Sequence, residues 1–227
     1  MKRTLFLALS LAVLAVVAVS CGGKKKGELQ VQEEQEAAAD SLKQIKVMDK
    51  LANLAEEPLF DIVTNYGTMR VKLYSGTPKH RENFAKLALS GYYDGLLFHR
   101  VINGFMIQGG DPLTKDPANA ARFGTGGPDY TVPAEFVPEY THKKGALAAA
   151  RKGDTANPTK ASSGSQFYIV QDEVACAQLD GQYTVFGETV EGIDVIDKIA
   201  AVETGARDLP INKVIIKSVN LNENLSK

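Results

Sequence analysis

Phe98-His99-Arg100-Val101-Ile102-Asn103-Gly104-Phe105-Met106-Ile107-Gln108-Gly109-Gly110-Asp111 reads as two short strands, around Leu97 to Val101 and Phe105 to Gln108, with Gly104 in the loop between them. The same grammar continues on both sides. Upstream, Met69, Val71 and Leu73 alternate with Arg70 and Lys72, the period of a half-buried strand, and Asn65-Tyr66-Gly67 supplies the turn into it. Thr77-Pro78 offers a helix cap and a first-turn proline; Phe84, Leu87 and Ala88 give that helix an apolar face, and Gly91 stops it. Downstream, short strands are expected over Gly145 to Ala150, Gln166 to Gln171, Tyr183 to Gly187 and Val214 to Asn220, separated by Gly/Pro-rich loops. A second helix is expected from Gly192 to Ala201, with Ile193, Ile196 and Ile199 inward. Many short strands and two helices predict a mainly β domain over residues 59–222, a closed antiparallel barrel capped by the two helices.

The chain of 227 residues has room for one such domain plus extensions, and its 44% hydrophobic content suits a packed core. Formal net charge is -1, and no basic stripe supports a nucleic-acid partner. Lys2 and Arg3 precede an apolar run from Leu5 to Val19 that is broken only by Ser10. The run falls short of the roughly 20 apolar residues of a transmembrane helix. It ends Ala18-Val19-Ser20-Cys21, as a secretory signal peptide does. Ala-Val-Ser-Cys resembles the lipobox of bacterial lipoproteins, which implies cleavage after residue 20 and lipidation of Cys21. Losing residues 1–20 removes two basic and no acidic side chains from a charge of -1, leaving -3. Cys176 is then the one remaining thiol, so the fold rests on its core and not on disulfides. Residues 21–36 read as a flexible polar tether. Residues 37–58 read as an amphipathic helical extension, with Leu42, Ile45, Met48, Leu51 and Ala55 on one face and Pro58 ending it. That face is expected to dock on the barrel or on a second copy of itself, the barrel being preferred, since short isolated helices are marginal in water.

Several chemistries find no support. His80, His99 and His142 lack metal-ligand spacing, so no metal or other cofactor is expected. Gly124-Thr125-Gly126-Gly127 lacks the Gly-Lys-Ser/Thr ending of a phosphate loop. Ser162, Ser163 and Ser165 form no Gly-x-Ser-x-Gly elbow, and Cys176 has no activating neighbour. Singly, Phe105 and Met106 read as core and Arg100 as a surface charge.

Taken together, the ordered blocks say more. Residues 98–111, then Gly124 to Gly127, Gly145 to Ala150, Gly164 to Ile169, Leu179-Asp180-Gly181 and Val185-Phe186-Gly187 resemble the cyclophilin family over about Phe60 to Asn220. The resemblance implies a peptidyl-prolyl cis/trans isomerase. An X-Pro amide rotates over a barrier of about 18–20 kcal/mol, slowly enough to limit folding. No bond breaks, so a fixed cation that favours the twisted amide suffices. By resemblance Arg100 is that cation, and Gln108 hydrogen bonds and orients both it and the substrate. Phe105, Met106, Tyr168 and Leu179 match the pocket for the proline ring. Ala150 and the backbone of Arg151 match the strand that pairs with the substrate, Gln166 lies beside that groove, and Thr125 lies in its flanking loop. His99 and Tyr183 complete the candidate set.

The chain departs from the family's well-studied eukaryotic members at four positions: Gln178 stands for a tryptophan, Tyr183 for a histidine, Tyr168 for a phenylalanine and Arg151 for an asparagine. The first change implies weak binding of cyclosporin-type inhibitors. The expected partners are proline-containing segments of unfolded or exported proteins, and a membrane reached through the lipid anchor in the cell envelope. A non-catalytic barrel that grips such segments is the alternative; the joint retention of Arg100, Phe105, Met106 and Gln108 favours the enzyme.

Overall fold

The computed structural model describes residues 24–223. The expected signal peptide and Cys21 lie outside the described residues. Helix α1 spans Lys24–Ala52 and is followed by strands β1 (Leu59–Thr64) and β2 (Gly67–Leu73), helix α2 (Pro78–Ser90), and strands β3 (Arg100–Ile102) and β4 (Met106–Gly109). Strands β5 (Thr131–Val132), β6 (Ala146–Ala149), β7 (Ser162–Ser163) and β8 (Phe167–Val170) come next. A single helical turn, α3 (Glu173–Cys176), then leads to β9 (Val185–Glu191), α4 (Ile193–Ala200) and β10 (Ile216–Leu221).

Eight strands form one antiparallel sheet in the order β10-β1-β2-β9-β6-β8-β4-β3, and β5 pairs with β7. The alternation read in β2 holds, with Met69, Val71 and Leu73 all fully buried. Strand β1 was not foreseen, although Phe60, Ile62 and Thr64 alternate inward with the same period. A closed barrel was expected, and here the structure corrects the sequence. The outer strands β10 and β3 do not pair, and the edges meet through an isolated bridge, Leu97 to Ile215. Only three residues of β3 are extended, and all three are spent on β4, from Arg100 opposite Gln108 to Ile102 opposite Met106. The start of β10 therefore bonds to the irregular segment before β3, through Phe98 N–H to the Val214 carbonyl and Ile216 N–H to that of Leu96.

Helix α2 begins at Pro78 and ends on Gly91, whose φ of 75° is the left-handed conformation that favours glycine. Thr77, expected as its cap, makes no side-chain capping bond. Instead the Glu135 carboxylate, from a distant loop, accepts the N–H groups of Lys79 and His80 at 3.1 and 3.0 Å, a charge placed where the helix dipole favours it. Phe84, Ala85, Leu87 and Ala88 of α2 and Val195, Ile196, Ile199 and Ala200 of α4 close the main core with Phe60, Phe98, Phe167 and Ile169.

The N-terminal helix runs further than expected. Residues 24–36, read as a flexible tether, lie within α1, where Glu, Gln, Ala and Leu favour helix by intrinsic propensity. It ends at Ala52, short of Pro58. Of the expected apolar face, Leu51 packs against the main core together with Leu54, whereas Ile45 and Met48 are 64% and 61% exposed. Among the described residues no helix is long and apolar enough to cross a membrane.

Candidate active site

Strand register assembles the site. Arg100 pairs with Gln108, Gln108 with Tyr168 and Tyr168 with Ala148, one row across four strands. Residues in such a row project to the same face of a sheet with Cβ atoms about 4.5–5.5 Å apart. Their immediate neighbours Ile107, Phe167, Ile169 and Leu147 project to the other face and enter the main core. The row thus carries a cation, an amide and a phenol on one face by strand pairing alone. Met106 of β4 and the segments between strands supply the rest, and the resulting cleft is lined by Arg100, Phe105, Met106, Gln108, Ala150, Arg151, Tyr168, Leu179 and Tyr183.

Nine of the twelve expected catalytic and substrate-binding residues therefore converge. Gln166, Thr125 and His99 do not line this cleft. Gln166 stands behind Gln108, accepting from its Nε2 at 3.1 Å while donating to the carbonyls of Gly124 and Gly126 at 3.1 and 2.7 Å. Thr125 donates to the Arg122 carbonyl on an exposed loop. His99 is buried beside the cleft with no hydrogen bond of ordinary geometry to either ring nitrogen. Burial lowers its pKa, with Asp111 opposing, which keeps the ring neutral.

Gln108 was expected to bond the arginine and instead bonds Gln166. The partner of Arg100 is Asp208, 3.3 Å from its Nε across a half-exposed pair. Neither Nη group of Arg100 makes a hydrogen bond among the described residues, and the side chain lines the cleft, which leaves two free donor groups there. Arg151 is held tightly. Its guanidinium lies 4.4 Å over the Tyr183 ring, Nε donates to the Gln182 carbonyl at 2.9 Å, and Nη1 pairs with Asp154 at 2.5 Å. The backbone N–H and carbonyl of Arg151 make no hydrogen bond among the described residues, an open edge for a peptide.

Two histidine relays escaped sequence reasoning. Behind the cleft, Asp180 Oδ1 lies 2.6 Å from His142 Nδ1, and His142 Nε2 lies 2.9 Å from the Tyr168 hydroxyl. A carboxylate only accepts, so Nδ1 carries the proton and Nε2 accepts from the phenol. Burial lowers the His142 pKa, against the pull of Asp180, and raises that of Tyr168 well above its ordinary value. The relay fixes the ring that floors the pocket. On the core face, Glu135 Oε2 lies 2.6 Å from His80 Nδ1, and His80 Nε2 lies 2.9 Å from Ser162 Oγ. That order of groups suits a nucleophile, but Ser162 is 1% exposed, so the second relay ties α2 to β7. Asp111, which closes the opening motif, was also missed. It is fully buried and accepts from Leu113, Gly124 and Gly126 N–H groups, anchoring the 124–127 loop. A Cβ at Gly126 would collide with that carboxylate. Cys176 is buried against the Phe105 carbonyl, and burial pushes its thiol up to about 12.

A cleft that sets apolar and aromatic side chains beside free guanidinium donors suits a ring and an amide that need to turn. The family model for cyclophilin type peptidyl-prolyl cis-trans isomerases matches residues 59–221, and the chain belongs to that family. It is accordingly a peptidyl-prolyl cis-trans isomerase. A Staphylococcus haemolyticus protein named for the same activity is 35% identical over 187 residues, covering 70% of this chain and 89% of its own. The crystal structure of a Cryptosporidium parvum cyclophilin type isomerase superposes with a TM-score of 0.65 at 32% identity, covering 74% of this chain and 99% of that one. The crystal structure of the same C. parvum isomerase in the presence of the dipeptide Ala-Pro gives a TM-score of 0.64 at 32% identity, covering 73% of this chain and 99% of that one.

Proposed function

We propose that Arg100 catalyses rotation of X-Pro bonds in exported proteins, and that the enzyme works in the cell envelope on a lipid anchor at Cys21. The observation that carries the catalytic part is the pair of free Arg100 Nη groups at the rim of a cleft floored by Phe105, Met106, Tyr168 and Leu179. The proline ring sits on that floor. As the amide twists, its nitrogen lone pair localises and its carbonyl loses conjugation. A fixed guanidinium then binds the twisted form better than either planar one, which lowers the barrier. Gln108, held by Gln166, keeps the neighbouring wall rigid, and the open Arg151 backbone aligns the peptide. Gln178, in place of the family's tryptophan, supports weak binding of cyclosporin-type inhibitors. The envelope location is supported by the basic-apolar-small pattern of residues 2–21.

A protease-coupled isomerisation assay on an X-Pro peptide tests the catalytic reading; binding without turnover would replace it with the grip of a scaffold. Cys21→Ser tests the anchor. The variant should leave the membrane fraction or stay unprocessed, and an unmodified N-terminus elsewhere in the native protein would overturn it.

A further inference from the structure

A second cavity, of about 330 Å3, adjoins the proline cleft and shares Arg100, Gln108 and Arg151 with it. Its other wall carries Arg207 and Asp208, and His99 is buried beside it. Three guanidiniums meet there with one carboxylate. Asp208 pairs with Arg100, and Asp154 pairs with Arg151. Among the described residues Arg207 has no carboxylate partner: its Nη groups donate to the Ala120 and Ala121 carbonyls at 2.6 and 3.0 Å, which hold the group without neutralising it. Arg207 and Asp208 are successive non-glycine residues at φ 62° and 59°, a conformation that persists only where surroundings enforce it. The loop is thus built to face both side chains into this cavity. With His99 neutral, the lining is positive in excess.

We propose that this cavity is a subsite for an acidic side chain flanking the substrate proline. The proposal rests on the isomerase reading for its substrate. A peptide seated in the cleft continues past Arg100 into the second cavity. There a Glu or Asp carboxylate meets the charge of Arg207, with the free Nη groups of Arg100 within the same lining. Asp208 is the resident competitor, and it also disfavours a second negative charge that cannot reach Arg207. A lysine at the same position meets like charge. Inorganic phosphate shares the chemistry but lacks the proline that places it.

The test uses the full chain and peptide sets with Glu, Gln or Lys at each position flanking proline, read both as kcat/KM and as Kd by calorimetry. At one position Glu should exceed Gln about two- to fivefold, the range of a partly exposed ion pair, and Lys should fall below both. The ratio should approach one at about 1 M salt, where the screening length is about 3 Å. Arg207→Gln should bring the ratio to one at low salt, Arg207→Lys should retain most of it, and Asp208→Asn should raise it. A Glu/Gln ratio of one at every position, or a ratio untouched by Arg207→Gln, overturns the subsite. So does inorganic phosphate at millimolar concentration erasing the ratio in the wild type, because that marks a general anion site. Absence of turnover with every peptide would sink the isomerase reading instead, while the Kd ratios still decide the subsite.

Discussion

Phe167 and Ile169 of β8 enter a core sealed by α2 and α4, while Tyr168 and Val170, the residues between and beyond them, enter a smaller cluster with Met106, Ala146, Ala148 and Cys176. Both faces of the strand are buried, yet they are built differently. The core face stacks Phe84, Tyr93, Phe98 and Phe167 edge-on or tilted at centroid distances of 5.1 to 6.1 Å. The site face uses small alanines and methionine, with Phe105, Leu179 and Tyr183 only partly covered. Each face also holds a carboxylate–histidine–hydroxyl relay, ending in a sealed serine on one and in the pocket tyrosine on the other. The same side-chain hardware locks an element in the first case and shapes a binding surface in the second. The difference is position: Tyr168 lines the cleft and Ser162 does not.

If the faces divide stability from activity, substitutions on opposite faces of the sheet should separate the two. Phe167→Ala should cost about 3–5 kcal/mol of unfolding free energy, read by denaturant titration, because it opens a cavity among rings that cannot collapse into it. Arg100→Ala should lower kcat/KM roughly 10²–10³-fold, as loss of one preorganised donor does, while the melting temperature stays near wild type. Near-wild-type turnover in that variant would dissolve the comparison, and so would comparable unfolding from both substitutions. Tyr168→Phe sharpens it. Deleting one hydroxyl leaves His142 Nε2 buried without a partner, for about 1–3 kcal/mol of stability, while the aromatic floor remains and turnover changes by a small factor only.

The smallest effect is in pH. Burial is the leading cause that lowers the pKa of His80, His99 and His142 below 6.5, opposed by Glu135, Asp111 and Asp180 respectively. The unfolded chain then binds protons at these rings that the folded one does not. Stability is fully present above about pH 6.5 and declines as pH falls through the lowered native values. Melting temperature measured from pH 7.5 to 5 should fall on the acid side, and His142→Gln should flatten that slope. An unchanged slope would mean that the relay behind the pocket stays intact when protonated.

Much of the fold was legible because its signals are local. Met69, Val71 and Leu73 alternate, Pro78 and Gly91 bracket α2, and Ile196 and Ile199 recur at helical spacing. The same alternation in Phe60, Ile62 and Thr64 was there to be read as β1. The cleft was legible through resemblance, since its residues sit in ordered blocks, and nine of the expected residues line it. The relays were not, because Asp180, His142 and Tyr168 are separated by 38 and 26 positions and carry no spacing signal. Nor was the partner of Arg100, which comes from 108 residues away on a loop with no repeat or periodicity.

By itself the sequence determined which residues form strands and helices, and which side chains were available for the chemistry, because periodicity and turn chemistry act over a few residues. Only the tertiary structure decided how they meet. Strand register set Arg100, Gln108 and Tyr168 in one row. Three residues of β3 proved too few to close the sheet. The carboxylate of Glu135, and not Thr77, capped α2. Ile45 and Met48 kept their helical stripe and stayed exposed. In each case the deciding energy belongs to contacts between segments distant along the chain, where burial, pairing and desolvation depend on what the fold brings alongside.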